Sequence, residues 1–493
     1  MPPAGGARGG LIGLATVVAE RALALAAIVA LGRLLAPAVF GQWAFVVSWL
    51  ALFQVLADPG LETVLLRRLA QPGADRPRLL ASGLVLRAAL ALGSAVLAVA
   101  LAPLAGAGAG DSDGRRIVAC GAAALLLQGQ PAFRSLLRAE MRIGAVFVLA
   151  VGTSLAALAA TVAAAAAGLG LPAIFLAAAS AQATGLVAAA LACRAEVRPG
   201  RADPRLWRGL LREAWPIGAN VLVVTLGLRA GVLLLMRTRG PDEVGFYSSA
   251  TRLSESLNLL ADGAMLTVFP VLARRAFDGV PALLAVARPT ARLLATVLLA
   301  AILAIAPLAP ALLARLFRPE FAAAAPALVV ASWSALLAAL GTLYGGLLVA
   351  TGRQRVLLWT NAVGTALLLC VQSLVVPRAG MLGAAAASLG VSLASHLVLA
   401  FLPATRELVG PCLRSAAGPV ACAAALLACE RLLPGPPLAR AALLLAAFPV
   451  LLLGTGALDR SEFSALGGAL PGRLDEGATA RANEARDAGA GKL

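Results

Sequence analysis

Fourteen stretches of mostly apolar residues, most of them twenty residues or longer, run through this sequence between residues 11 and 456. A helix that crosses a bilayer needs about 20 such residues at 1.5 Å of rise each. Lipid offers no partner to a backbone N–H or C=O, so a spanning segment must satisfy its own. The other solution, a closed barrel, needs segments of about ten residues that alternate apolar and polar, and the sequence lacks them. The first six stretches run from 11–34 to 171–193, six more from 209–236 to 381–403, and two follow at 415–433 and 438–456. Composition agrees: 60% of the residues are hydrophobic and 13% charged, where a soluble chain carries about 25% charge. The expected fold is an all-α polytopic membrane protein with about 14 transmembrane helices. Glu20 and Arg21 interrupt the first apolar run and no small-residue cleavage site closes it, so it reads as a span rather than a signal peptide.

Several function classes drop out. The six cysteines form no C-x-x-C pair and read as small buried hydrophobes. His396 is the single histidine, so no metal site is expected. No P-loop motif is present, and no cofactor is expected. The net charge of +17 could suggest nucleic acid, but the arginines sit in short clusters between apolar runs. That pattern belongs to loops touching anionic membrane lipids. Arginines after even-numbered spans outnumber those after odd-numbered spans by twenty to ten, which places the even loops and both termini in the cytoplasm.

The chain also repeats itself. Arg33, Pro37, Gly41, Leu56-Ala57-Asp58, Thr63-Val64 and Pro77 recur 204 residues later as Arg237, Pro241, Gly245, Leu260-Ala261-Asp262, Thr267-Val268 and Pro281. Chance similarity between alanine-rich helices would preserve Ala and Leu, not Pro, Gly and Asp at one offset. Each copy holds six spans, an even number, so both enter the membrane from the same side and form two parallel six-helix lobes. The expected organisation is a lobe at 8–193, a cytoplasmic amphipathic linker at 194–212, a second lobe at 209–403, two additional helices at 415–456 and a disordered cytoplasmic tail at 457–493. The linker places Arg205, Arg208 and Arg212 opposite Leu206, Trp207, Leu210 and Leu211, as a helix lying on the inner leaflet would.

Charges inside spans are costly and mark functional sites by default. Arg21, Arg229 and Arg252 are the candidate substrate-binding residues, because a guanidinium stays protonated and binds phosphate oxygens with a planar fork. Asp58, Glu62, Glu255 and Asp262 are the candidate ion-coupling residues. Each of Asp58-Pro59-Gly60 and Asp262-Gly263 is expected to break its helix, with the Asp able to cap the restarted segment. Arg87 and Arg292 lie nearer span ends and are expected to snorkel. The longest outer loop, about 103–115, holds only Asp111 and Asp113 as acids, which argues against a glycan-polymerising or ligating membrane enzyme.

With those residues in view, the chain resembles the polysaccharide flippase family, relatives of lipid II flippases and multidrug extruders. The resemblance rests on Arg33-Leu-Leu-Ala-Pro-Ala-Val-Phe-Gly41, Leu56-Ala-Asp-Pro-Gly-Leu61, Val244-Gly-Phe-Tyr-Ser-Ser-Ala-Thr-Arg252, Val268-Phe-Pro-Val-Leu-Ala273 and Ala350-Thr-Gly-Arg353. It implies two lobes around a central cavity, alternating access, and passage of a polyprenyl-diphosphate-linked oligosaccharide to the outer leaflet of the plasma (inner) membrane. It further implies glycosyltransferases and a polymerase of the same pathway as partners, and it carries over to Arg252 and Arg229. One departure stands out: relatives place an acidic residue just after the span-seven arginine, where this chain has Ala230 and Gly231. A cation or drug antiporter of the same fold is the alternative, though arginines rather than acids and aromatics lead the list of intramembrane residues.

Overall fold

The computed structural model describes residues 5–105, 112–127, 129–194 and 202–457; all but the first residue of the tail expected at 457–493, and part of the linker expected at 194–212, lie outside them. All regular structure among the described residues is helical. The first half runs α1 (Gly5–Leu34), α2 (Pro37–Ala57), α3 (Leu61–Leu69), α4 (Arg76–Leu101), α5 (Ser112–Leu126), α6 (Gln130–Ala139), α7 (Ile143–Ala166) and α8 (Gly170–Ala192). The second half runs α9 (Arg205–Thr238), α10 (Pro241–Glu255), α11 (Asn258–Arg275), α12 (Val280–Leu316), α13 (Ala325–Ala350), α14 (Gln354–Phe401), α15 (Arg406–Cys429) and α16 (Pro437–Gly454). Repeat-equivalent prolines open equivalent helices: Pro37 and Pro241 start α2 and α10, while Pro77 and Pro281 sit second in α4 and α12. A proline is at home there because its missing N–H would have had no helical partner.

Among the described residues, twelve helical runs are long and apolar enough to cross a membrane, and two local features account for the difference from fourteen. The stretch expected to be one span at 116–137 is instead α5 and α6, interrupted near Gly129 and restarted with Pro131 in the first turn of α6. The spans expected at 355–377 and 381–403 are both present but joined as α14, whose 48 residues would be about 72 Å if straight, more than twice the hydrocarbon thickness. The chain reverses at Gly380, where φ is 55°. Gln372 Nε2 donates to Ala384 O at 3.3 Å and to Ser388 Oγ at 3.1 Å, partners that a straight helix would hold roughly 18 and 24 Å away. Glu243 packs over Gly380, which has no Cβ to obstruct it, and accepts from the Met381 backbone N–H at 2.8 Å.

The helix after α2 breaks where expected. Asp58 Oδ1 accepts from the Leu61 N–H at 2.7 Å and caps α3, with Gly60 in the left-handed region at φ 96°. The second-half break is not at Asp262-Gly263 but at Ser256–Leu257, between α10 and α11. No proline follows Asp262, and a lone glycine inside a helix costs only about 1 kcal/mol, so α11 continues through it.

Residues cluster into two compact units: Met1–Ser256 with Pro310–Ala331 and Asn361–Val391, and Leu257–Ala309 with Ser332–Thr360 and Ser392–Leu493. In the first unit, Leu61, Leu65 and Leu69 of α3 pack with Leu80 of α4, Leu136 and Leu137 of α6, and Leu210 and Ala214 of α9. Leu206, Trp207 and Leu211 join this core. The apolar side of the linker helix therefore packs on protein rather than on lipid, while Arg205, Arg208 and Arg212 stay exposed. In the second unit, α12, α13, α15 and α16 supply the core through residues such as Leu299, Leu340, Cys412 and Phe448. Cys193, Cys412 and Cys422 are buried as expected, but Cys370 and Cys429 are exposed.

Within the first unit, α2 and α10 cross at Gly41 and Gly245. A Cβ added at Gly41 would collide with the Pro241 carbonyl oxygen, and one added at Gly245 with the Pro37 carbonyl oxygen. The contacts are reciprocal between residues that the repeat makes equivalent, as a two-fold relation requires. Small residues let helices approach this closely where lipid supplies no hydrophobic drive. Phe40, Phe246, Phe317 and Phe321 stack edge-on beside the crossing.

Candidate functional site

Arg229 lies on α9 three turns before its end, with no acid near it in sequence. Its partner comes from the next helix: Glu255, the last residue of α10, places Oε1 3.7 Å from Arg229 Nη1. The same carboxylate places Oε2 3.2 Å from Arg252 Nη1, one turn back on α10. The α9–α10 packing that allows this is close. Gly231 faces the buried Tyr247 ring, and a Cβ there would sit 2.8 Å from the hydroxyl. Arg252 also occupies the last turn of α10, where the helix dipole favours a cation. The break at Ser256–Leu257 ends the helix just after Glu255.

Two permanent cations thus share one carboxylate, leaving a net charge of about +1. Two guanidiniums carry ten N–H donors between them, whereas one carboxylate accepts at about four positions. Donors are in excess, and Arg229 Nε is buried without a hydrogen-bond partner. The three side chains remain partly exposed, 18%, 17% and 35% for Arg229, Arg252 and Glu255. This arrangement suits a ligand rich in anionic oxygens, which would add acceptors where they are lacking.

The remaining expected residues lie elsewhere. Asp58 is paired with Arg87. Far from snorkelling, Arg87 is 2% exposed, and its Nε and Nη1 have no hydrogen-bond partner. Asp58 sits where α2 stops and is drawn to Arg87 across the α2–α4 packing, which directs the arginine inward instead of along the lipid. Glu62 on α3 accepts from Arg138 Nη1 at 2.8 Å, and Glu20 on α1 accepts from Arg134 Nη1 at 3.1 Å. Arg134 and Arg138 stand one turn apart on α6 and share a face; their spacing was the available signal that they act as a pair rather than as loop charges. Arg292 is partly buried, with Nε donating to the Ser415 carbonyl at 3.4 Å. Arg21 is exposed on α1 and Asp262 is partly buried on α11. His396 is buried, Nδ1 contacts the Ser392 carbonyl at 2.7 Å, and its ring packs edge-on against Tyr344.

The family described as polysaccharide biosynthesis protein matches residues 7–275, more than half of the chain. The chain belongs to that family. No curated protein matches the sequence. Among solved structures, the chain is similar to the lipid II flippase MurJ in an inward closed conformation. The TM-score is 0.70 at 11% identity, covering 91% of this chain and 100% of MurJ. It is also similar to a multidrug resistance MATE family transporter of the MOP superfamily in its inward-facing conformation. There the TM-score is 0.62 at 15% identity over 80% of this chain and 96% of the transporter. A MOP superfamily transporter from Pyrococcus furiosus, described by the reverse polarity of its binding pocket, aligns with a TM-score of 0.55 at 14% identity over 82% and 95% of the two chains. The chain is a multi-pass membrane protein with the fold of these flippase and transporter structures.

Proposed function

We propose that the protein is a flippase that moves a polyprenyl-diphosphate-linked oligosaccharide from the inner to the outer leaflet of the plasma membrane, for surface polysaccharide biosynthesis. The observation that carries the reading is the pair Arg229 and Arg252 sharing Glu255, in a chain whose family is named for polysaccharide biosynthesis. A diphosphate carries about two negative charges, and desolvating them costs several kcal/mol per ion unless they are paired. The headgroup binds the two arginines while the polyprenyl tail stays in lipid. Arg21 adds a further cation from the first lobe, and Asp58, Glu62, Glu255 and Asp262 are the acids from which a coupling ion would draw its site. The lobes 8–193 and 209–403 alternate access, with both termini in the cytoplasm. A cationic drug would meet a site of the wrong sign.

Replacing Arg252 by Ala is expected to abolish glycan export at normal protein level, and Arg252→Lys to retain part of it, because lysine keeps the charge but loses the fork. Export of surface glycan in cells and headgroup translocation in reconstituted vesicles provide the measurement. Full export by the Arg229→Ala/Arg252→Ala double variant at native expression would refute the site.

A further inference from the structure

A groove of about 610 Å³ lies between α4 and α5, both in the first unit, and nothing in the proposed translocation uses it. Leu92, Ala95, Val96, Val99 and Ala100 form one wall, and Ala119, Ala122, Ala123 and Leu126 the other. The alanines leave the depth, while Leu92, Val96 and Leu126 stand out as an exposed rim. Arg115 is the one charged residue in the lining. It stands in the first turn of α5, at the end where α4 terminates.

Two features of this groove specify an occupant. From Arg115 to Leu126 the helix rises about 16 Å, which is half of a hydrocarbon core about 30 Å thick. The groove therefore has the depth of one leaflet's acyl region, with a guanidinium at one end. Moreover, a cation in the first turn opposes the helix dipole, so the α5 dipole gives no reason for a charge at Arg115. A second groove of about 530 Å³ between α1 and α7 has comparable apolar walls, including Ala26, Ala30, Leu155 and Ala159, but no charged residue in its lining. The two grooves differ chiefly in that charge.

We propose that the α4–α5 groove seats one anionic phospholipid of the adjacent leaflet, its phosphate on Arg115 and an acyl chain between the helices. The chain fills the space that the alanines leave and braces α4 against α5. A phospholipid fits better than the far longer polyprenyl carrier, because the groove ends after one leaflet of depth. The site stands apart from Arg229, Arg252 and Glu255, and its occupancy can be read without any translocation assay.

The test uses the purified full-length protein in nanodiscs doped with phosphatidylglycerol bearing a photoactivatable acyl chain, with crosslinked peptides mapped by mass spectrometry. Crosslinks are expected on residues 92–126, and unlabelled phosphatidylglycerol should compete better than phosphatidylcholine. Arg115→Ala should lower labelling about fivefold, the worth of one arginine at a headgroup surface, and erase that preference. Ala119→Trp should block labelling in the α4–α5 groove, whereas Ala26→Trp in the other groove should leave it unchanged. Arg115→Gln provides the same readout should the alanine variant fold poorly. Equal labelling in the wild type and both Arg115 variants would overturn the proposal. So would displacement by a polyprenyl diphosphate but not by phosphatidylglycerol, which would assign the groove to the carrier lipid.

Discussion

The crossing of α2 and α10 offers the sharpest test of the packing. Gly41→Ala puts a methyl group onto the Pro241 carbonyl, and Gly245→Ala puts one onto the Pro37 carbonyl. Both obstacles are backbone, so no side chain can rotate out of the way. Restoring ordinary contact requires the helices to part by roughly 1 to 1.5 Å, and a gap of about 1 Å already forfeits about half of the dispersion energy across it. Overpacking of this kind costs about 3 kcal/mol, offset by about 1 kcal/mol for the better helix propensity of alanine. Each single variant should therefore lose about 2 kcal/mol. The double variant should lose less than either single, about 1 kcal/mol, because one parting relieves both clashes while both alanines gain propensity; a double-mutant cycle should show an interaction energy of about 3 kcal/mol in magnitude. Gly93→Ala and Gly263→Ala are the controls, since an added Cβ meets nothing within 4 Å at either position. Fluorescence-detected thermal unfolding in detergent reads the difference as a fall of several degrees for the crossing variants and none for the controls. Crossing variants as stable as the wild type, or a double variant whose loss is the sum of the singles, would refute the reciprocal contact.

The buried pair of Arg87 and Asp58 predicts that Arg87→Ala costs about 3–5 kcal/mol by stranding a carboxylate, and that Asp58→Asn, which keeps an oxygen to cap α3 but strands the more deeply buried guanidinium, costs at least as much; thermal unfolding and protein levels measure both. Asp203, outside the spans, pairs with Arg78 and accepts from the Arg205 N–H at 2.9 Å. The Arg78 guanidinium first, and the Arg205 N–H second, hold the Asp203 carboxyl below the usual carboxylate range. A depressed folded-state value means that this contact stabilises above the ordinary Asp value of about 3.9 and is lost only as pH falls through the lower one. Hydrogen exchange at the Arg205 amide should accordingly stay slow in mild acid and become fast at all pH values in Asp203→Ala, which removes the acceptor. A cysteine at the exposed Arg208 should be labelled only from the cytoplasmic side; labelling from outside intact cells would reverse the orientation.

The sequence by itself determined the class and much of the plan. Lipid cannot satisfy a backbone, so apolar length alone specified spanning helices, and the gap between the runs at 355–377 and 381–403 put a connection there. Pro37, Gly41, Pro241 and Gly245 announced the duplication because each does a backbone job that no common residue can take over. Asp58-Pro59-Gly60 was legible as a break for the same reason, since proline, glycine and a capping acid act on their own neighbours in the chain.

Tertiary structure decided which charges meet. Arg229 found Glu255 across a helix boundary, Glu20 found Arg134 at a separation of 114 residues, and Asp58 drew Arg87 inward. Such pairs depend on how far each helix is rotated and slid against its neighbour. Apolar periodicity does not encode these quantities in a lipid-facing helix, where every side is apolar. For the same reason the second-half break fell at Ser256–Leu257 rather than at Asp262: one glycine is too weak a local signal to stop a helix. The linker helix was amphipathic on any reading, but only the packed core of α3, α4 and α6 made its apolar side a protein contact instead of a lipid one.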